Sequence, residues 1–224
     1  MKAITSLVCL LALTFAATAH AGPPTRFLET QVEAVRALLK NPVKSGTPEA
    51  AAVDEKLKAI VNPVMDFERL SQNVLSKHWP GLSPAQRTAF VDLFRALVFH
   101  SYLKEIRSAN EDYTVAYEDE EAKGRKAAAV TAIAKTKKVE IELVFHLITN
   151  DGQVWVAEDV VIDEVSLVEN YREQFNKIIA EKDFAALLDK MREKLVELGG
   201  KVPETAAKPS TPAEPVMKAA PAPK

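Results

Sequence analysis

The hydrophobic period of this chain changes twice, and that confines it to the α+β class. Up to about Arg107, apolar residues recur every three or four positions; from Tyr113 to Ile162 they alternate; from Val168 to Leu195 the helical spacing returns. A stripe of period 3.6 can face a core only from a helix, and a period of two only from a strand. The connections between the alternating runs are too short for parallel crossovers, so the strands must form an antiparallel meander.

The first half predicts four helices. Phe27, Val32, Val35, Leu38 and Leu39 mark the first. Thr47-Pro48 opens the second, a capping hydroxyl before a proline whose missing N–H costs nothing at the first helical position; it runs through Val53, Leu57 and Ile60 to Asn62-Pro63. Asp66 caps a third helix bearing Phe67, Leu70 and Val74, which ends at Trp79-Pro80-Gly81. Ser83-Pro84-Ala85-Gln86 is a capping box. It starts the longest helix, with Phe90, Leu93, Phe94, Leu97, Ser101 and Lys104 near one stripe and Val98 and Tyr102 beside it. An aromatic stripe of this kind is most often an ordinary core face.

Four strands are expected at 113–118, 127–134, 139–147 and 154–162, with Gly124 and Asn150-Asp151-Gly152 at turns that need positive φ. On the third, Val139, Ile141, Leu143, Phe145 and Leu147 share one face, while Glu140, Glu142 and His146 take the other. The second strand is five alanines interrupted by Val130, Thr131 and Ile133, with Val130 and Ala132 on one face. Alanine is a poor strand former and fills little volume. Either the helices come closer there, or space is left for an apolar ligand. Two further helices follow, marked by Val168, Tyr171, Phe175, Ile178, Ile179 and by Phe184, Leu187, Leu188, Met191, Leu195.

Both ends fall outside this domain. Lys2, the apolar run Leu7 to Ala17 and Ala19-His20-Ala21 have the layout of a secretory signal cleaved after Ala21, with an apolar stretch too short to span a bilayer. Residues 22–200 are then expected to form one domain, and 201–224, rich in proline and alanine, a disordered tail. The only cysteine, Cys9, lies in the signal, so no disulfide or thiol chemistry is expected of the mature chain. Removing Lys2 leaves 28 basic residues against 31 acidic ones, which argues against a nucleic-acid binder.

Motifs for catalysis are missing. The seven glycines sit at boundaries and turns, and none frames a phosphate loop. His78, His100 and His146 are scattered, so neither a metal site nor a cofactor is expected. Glu118 to Glu121 read as a solvated turn. Asp159 lies among Val156, Ala157, Val160 and Val161, and a carboxylate there needs a partner. Arg172 on the next helix is the expected one, in a structural ion pair. Were the protein an enzyme, for instance an isomerase or dehydratase on a cone-shaped α+β fold, Asp159 and His146 would be the candidate acid–base groups. A purely structural envelope module is a third alternative.

One stretch carries more than periodicity. Trp155 to Val160, followed by Val165-Ser166-Leu167 and Asn170-Tyr171-Arg172-Glu173-Gln174-Phe175, resembles the signature of the MlaC, or toluene-tolerance, family: a tryptophan strand ending in aspartate, a serine-leucine turn, then an asparagine-tyrosine-arginine helix. Phe67, Trp79-Pro80-Gly81-Leu82, Gln86-Arg87 and Tyr102 extend the resemblance over about Phe27 to Leu198. It departs at Glu158, where an aromatic is common, at Ala157, where a larger aliphatic is common, and at Glu164, where glycine is usual.

The resemblance implies helices on one face of a curved antiparallel meander of about four strands, enclosing an apolar cavity. It implies a non-enzymatic periplasmic carrier of phospholipid between the two membranes of a diderm bacterium, which maintains outer-membrane asymmetry; a hopanoid is the alternative cargo. It implies two docking partners, an inner-membrane MCE-type ABC transporter complex and an outer-membrane lipoprotein–porin complex. The residues expected to line the lipid are Phe90, Phe94, Leu97, Val98 and Tyr102 on the long helix, Val130, Ala132, Ile141, Leu143, Phe145, Leu147 and Trp155 on the sheet, and Val168, Tyr171 and Phe175 on the penultimate helix.

Overall fold

The computed structural model describes residues 21–41, 43–44, 46–108, 113–135 and 140–207. The expected leader with Cys9, Val139 of the third strand and residues 208–224 lie outside them. The order is α1 (Pro23–Leu39), α2 (Pro48–Val61), α3 (Phe67–Leu75), α4 (Pro84–Ser108), β1 (Thr114–Ala122), β2 (Ala127–Lys135), β3 (Glu140–Thr149), β4 (Trp155–Ile162), β5 (Val165–Ser166), α5 (Leu167–Glu181) and α6 (Phe184–Glu197). The five strands form one antiparallel sheet in sequence order. None of the described helices is long and apolar enough to cross a membrane.

The helix starts follow from their caps. Thr47 accepts from the Ala50 N–H, Asp66 from Arg69 and Asp183 from Ala186. At α4 the reciprocal box is present: Gln86 Oε1 accepts the Ser83 N–H at 2.9 Å, and Ser83 Oγ accepts the Gln86 N–H at 3.3 Å. The third helix is shorter than expected. Ser76 takes a φ of 45°, and the chain continues as a 3₁₀ turn over Ser76–Gly81.

Two bulges bend the sheet. Between β1 and β2 the register slips at Tyr117/Asp119, and between β3 and β4 at His146/Leu147, where Glu158 is the extra residue. The bulge accounts for the charge at Glu158, because it brings the side chain within 3.4 Å of Arg69 on α3. Ala157 is fully buried, and its carbonyl accepts the Asp66 N–H at 3.2 Å beside the Met65 bridge. In the β4–β5 turn, Asp163 and Glu164 both have positive φ, 45° and 68°, a conformation that suits the glycine which the resemblance leads one to expect at 164.

Two expectations need correction. Glu118–Glu121 are not a turn; they belong to β1, and Glu120 is half-buried and bonded to Thr25. The C-terminal segment also begins later than position 201. Residues Glu204–Ala206 form a 3₁₀ turn, Ala206 is fully buried, and Arg192 Nε on α6 donates to its carbonyl at 2.6 Å.

Candidate functional site

Register defines the inner face of the sheet. Tyr117, Ala132, Leu143 and Ile162 form one row across it, and Val130, Phe145 and Val160 form the next. Ala128, Leu147 and Ala157 form a third row, beyond which lies Trp155. Helix α1 covers this face: Leu28 packs among Val130, Leu147, Trp155 and Val160, with Phe27, Tyr117, Leu143 and Phe145 half-buried around them.

A separate core lies within the helices. Phe90, Phe94, Leu97, Val98, Val168 and Phe175 are buried there, with Tyr102 and Tyr171 against them. Its centre is aromatic: Phe90 stacks on Phe94 at 5.6 Å, and Tyr171 meets Phe94 edge-on at 5.0 Å. Met65 touches both cores. Thus thirteen of the fifteen expected lining residues are split between two clusters. Phe90 and Phe94 are sealed in the helical core. Ala132 is 1% exposed, and Ile141 is half-buried; neither belongs to a cluster. The half-buried Ile141, Leu143, Phe145 and Ile162 run along the inner face.

A cleft of about 280 Å³ opens between α4, α5 and α6. Leu97, Tyr102, Tyr171 and Phe175 of the expected set line it, joined by Met191, with Ser101, Asn170, Gln174, Lys190 and Lys194 as its polar members. Burial raises the Tyr171 phenol pKa, and a hydrogen bond with Ser101 partly offsets this. The cleft lies near the lower end of small-molecule cavities, roughly 300–1,000 Å³.

Polar groups on the inner face are sparse. Trp155 Nε1 and the Tyr117 hydroxyl are buried without a hydrogen-bond partner among the described residues. Burial pushes the Tyr117 pKa up to about 12, so the ring stays neutral at any physiological pH. Asp159 and His146 are cross-strand partners on the opposite face, away from the apolar wall where an acid–base pair would meet an apolar ligand. The expected Asp159–Arg172 ion pair does not form. Asp159 Oδ2 accepts from Ser166 Oγ at 2.6 Å and Oδ1 from the Val168 N–H at 3.1 Å, while Arg172 Nε donates to the Asn73 carbonyl at 3.0 Å. The reason is local: the start of α5 presents its own donors to the carboxylate seven residues after Asp159, ahead of the longer reach to Arg172. Among the described residues no group of His, Cys, Asp or Glu is spaced to hold a metal ion.

Sequence reasoning missed the role of α1 over the sheet. The contact that reveals it, Glu120 on the inner face accepting from Thr25, depends on the β1 bulge and is not visible in the sequence.

The family model described as MlaC protein matches residues 29–193. No curated protein matches the chain. Among solved structures, the fold is similar to the phospholipid-binding protein from Ralstonia solanacearum, solved in complex with a phospholipid, with a TM-score of 0.68 at 22% identity over 78% of this chain and 97% of that one.

Proposed function

The chain belongs to the MlaC family, and on that premise we propose that it is a phospholipid carrier of the periplasm, shuttling lipid between inner and outer membranes and so maintaining outer-membrane asymmetry. Residues 1–21 direct its export. Its docking partners are an inner-membrane MCE-type ABC transporter complex and an outer-membrane lipoprotein–porin complex.

The observation that carries this reading is the divided core. In a filled α+β domain the sheet and its helices share one packed interior. Here the helices bury their aromatics against one another, and the inner sheet face keeps Ile141, Leu143, Phe145 and Ile162 partly exposed. Acyl chains laid along that face, toward α4 and α5, join the two cores. The similarity of fold to a protein solved with phospholipid supports the assignment.

The energetics suit a carrier without catalytic groups. Each methylene withdrawn from water contributes about 0.8 kcal/mol, so about thirty of them cost on the order of 20 kcal/mol to expose. An apolar wall removes that cost and needs no covalent step.

The test is direct. Protein purified from the periplasm is extracted with organic solvent, and the extract is analysed by mass spectrometry. Phospholipid near one molecule per chain is expected. A hopanoid in its place changes the cargo, and an extract without lipid overturns the proposal.

A further inference from the structure

Helix α1 begins against a carboxylate. A Cβ built on Gly22 would lie 1.8 Å from Glu120 Oε1, so the carboxylate rests on the glycine backbone, and any side chain at 22 would displace it. Its other oxygen is engaged: Oε2 accepts the Thr25 N–H at 3.0 Å and the Thr25 hydroxyl at 2.6 Å. Oε1 accepts no hydrogen bond among the described residues. The Gly22 nitrogen, bonded to the same Cα, lies at most about 4 Å from Oε1. On the other side of this peptide bond, the exposed Arg26 holds the Ala21 carbonyl through Nη1.

We propose that the Ala21–Gly22 peptide bond is a processing site and that the α-ammonium released from Gly22 docks on Glu120 Oε1, completing the anchorage of α1 to β1. This rests on the reading of residues 1–21 as an export leader. The step is a hydrolysis: a peptidase selecting small residues adds one water across the bond, leaving a carboxylate on Ala21 and an ammonium on Gly22. Ala19 and Ala21 meet the small-residue requirement.

Helix polarity explains why the acid is needed. An ammonium at a helix N-terminus meets the positive end of the helix dipole, which disfavours it. Glu120 supplies the opposite charge at that point, so the helix can begin with Pro23, one residue after the cut. Arg26 loses the Ala21 carbonyl and, being exposed, turns into solvent. The glycine therefore has two uses: it is small enough to follow a cleavage site, and it lets the carboxylate close on its backbone.

The experiment reads mass and stability rather than lipid, so its failure is distinct from failure of the carrier reading. The exported protein is weighed intact, and mass corresponding to a Gly22 start is expected. Delipidated forms starting at Gly22, starting at Ala21, and starting at Gly22 with an acetylated amine are then melted. The Gly22 form should melt about 2 °C above both others, the shift expected for one partly exposed ion pair in a domain of this size. The difference between the Gly22 and Ala21 forms should vanish in E120Q, which keeps an acceptor for Thr25 but no charge. The acetylated form tests the same point without a substitution. An exported chain with another start, equal melting points, or a difference that survives E120Q overturns the proposal.

Discussion

Ser166 Oγ donates to Asp159 Oδ2 at 2.6 Å, and the same Ser166 oxygen accepts the Glu169 N–H at 3.1 Å, so one hydroxyl links the last long strand to the first turn of α5. Asp159 Oδ1 adds the Val168 N–H. Together they set where α5 leaves the sheet. Asp159→Ala should destabilise the fold by about 1–3 kcal/mol, since charged hydrogen bonds to backbone and hydroxyl are lost together. In double-mutant cycles by denaturant unfolding, Asp159 should couple to Ser166 by about 0.5 kcal/mol or more, and to Arg172 by less than that. The reverse order would restore the ion pair as the organising contact.

The inner sheet face offers a paired test of the proposed ligand seam. Ala134 and Ala132 share it; Ala134 is half-buried beside Ile141, whereas Ala132 is sealed between Tyr117 and Leu143. Ala134→Trp should keep its unfolding midpoint and lose most of its co-purified lipid. Ala132→Trp should overpack and lose about 1–3 kcal/mol. Full lipid in a well-folded Ala134→Trp protein would move the ligand elsewhere.

Truncation should distinguish the two parts of the C-terminal segment. A chain ending at Ala207 should melt and bind lipid like the full protein. A chain ending at Lys201 loses the buried Ala206, the Arg192 contact and the bond from Thr205 to Asp92 at 2.8 Å. It should melt lower by several degrees, as expected for the loss of about 1–2 kcal/mol. Equal melting of the two truncations would show that the 3₁₀ turn contributes nothing.

Glu164 stands in the left-handed region, which disfavours any side chain with a Cβ. Glu164→Gly should raise stability by up to about 1 kcal/mol, the relieved strain exceeding the entropy that glycine adds to the unfolded chain. Chemical denaturation reads this directly, and a destabilised variant would contradict it.

His100 gives the acid response a defined direction. Burial lowers its pKa, Lys58 and Arg107 add to this, and Asp54 and Glu55 oppose it. A folded-state value below the unfolded one means that the unfolded chain binds more protons as pH falls through about 6.5. Stability should therefore decline below that point until the folded-state pKa is passed, and His100→Gln should flatten the decline. Melting points from pH 7 to pH 5 check the slope; an unchanged slope in the variant would remove His100 from the account.

Much of the fold was legible because its signals are local. Thr47, Asp66 and the Ser83–Gln86 box mark their helices within four residues, and the alternation of β3 shows its faces without reference to any partner. The Ser166-to-Phe175 run likewise points to the MlaC family by residue order alone. What was not legible depends on long-range geometry. Periodicity places Phe94 and Phe145 on apolar faces but cannot say that they enter different cores. Nor can it find the partner of Asp159, because the competing donors appear only when α5 folds back on β4. Glu120 was misread for the same reason: a run of four acids resembles a solvated turn until a bulge turns one of them inward toward Thr25.

The order of the sheet leaves β1 at its border, and this strand carries Glu118, Asp119 and Glu121. An exposed strand border is a template for adding further strands, the route by which sheet proteins assemble into fibres. When two such borders approach, carboxylates of one chain come within a residue or two of those of the other, and like charges set opposite one another repel. On the proposed carrier reading, an apolar wall that empties whenever cargo is released adds a second route to self-association. On that reading, the acidic border would oppose edge-on polymerisation while the apolar wall stays open to lipid.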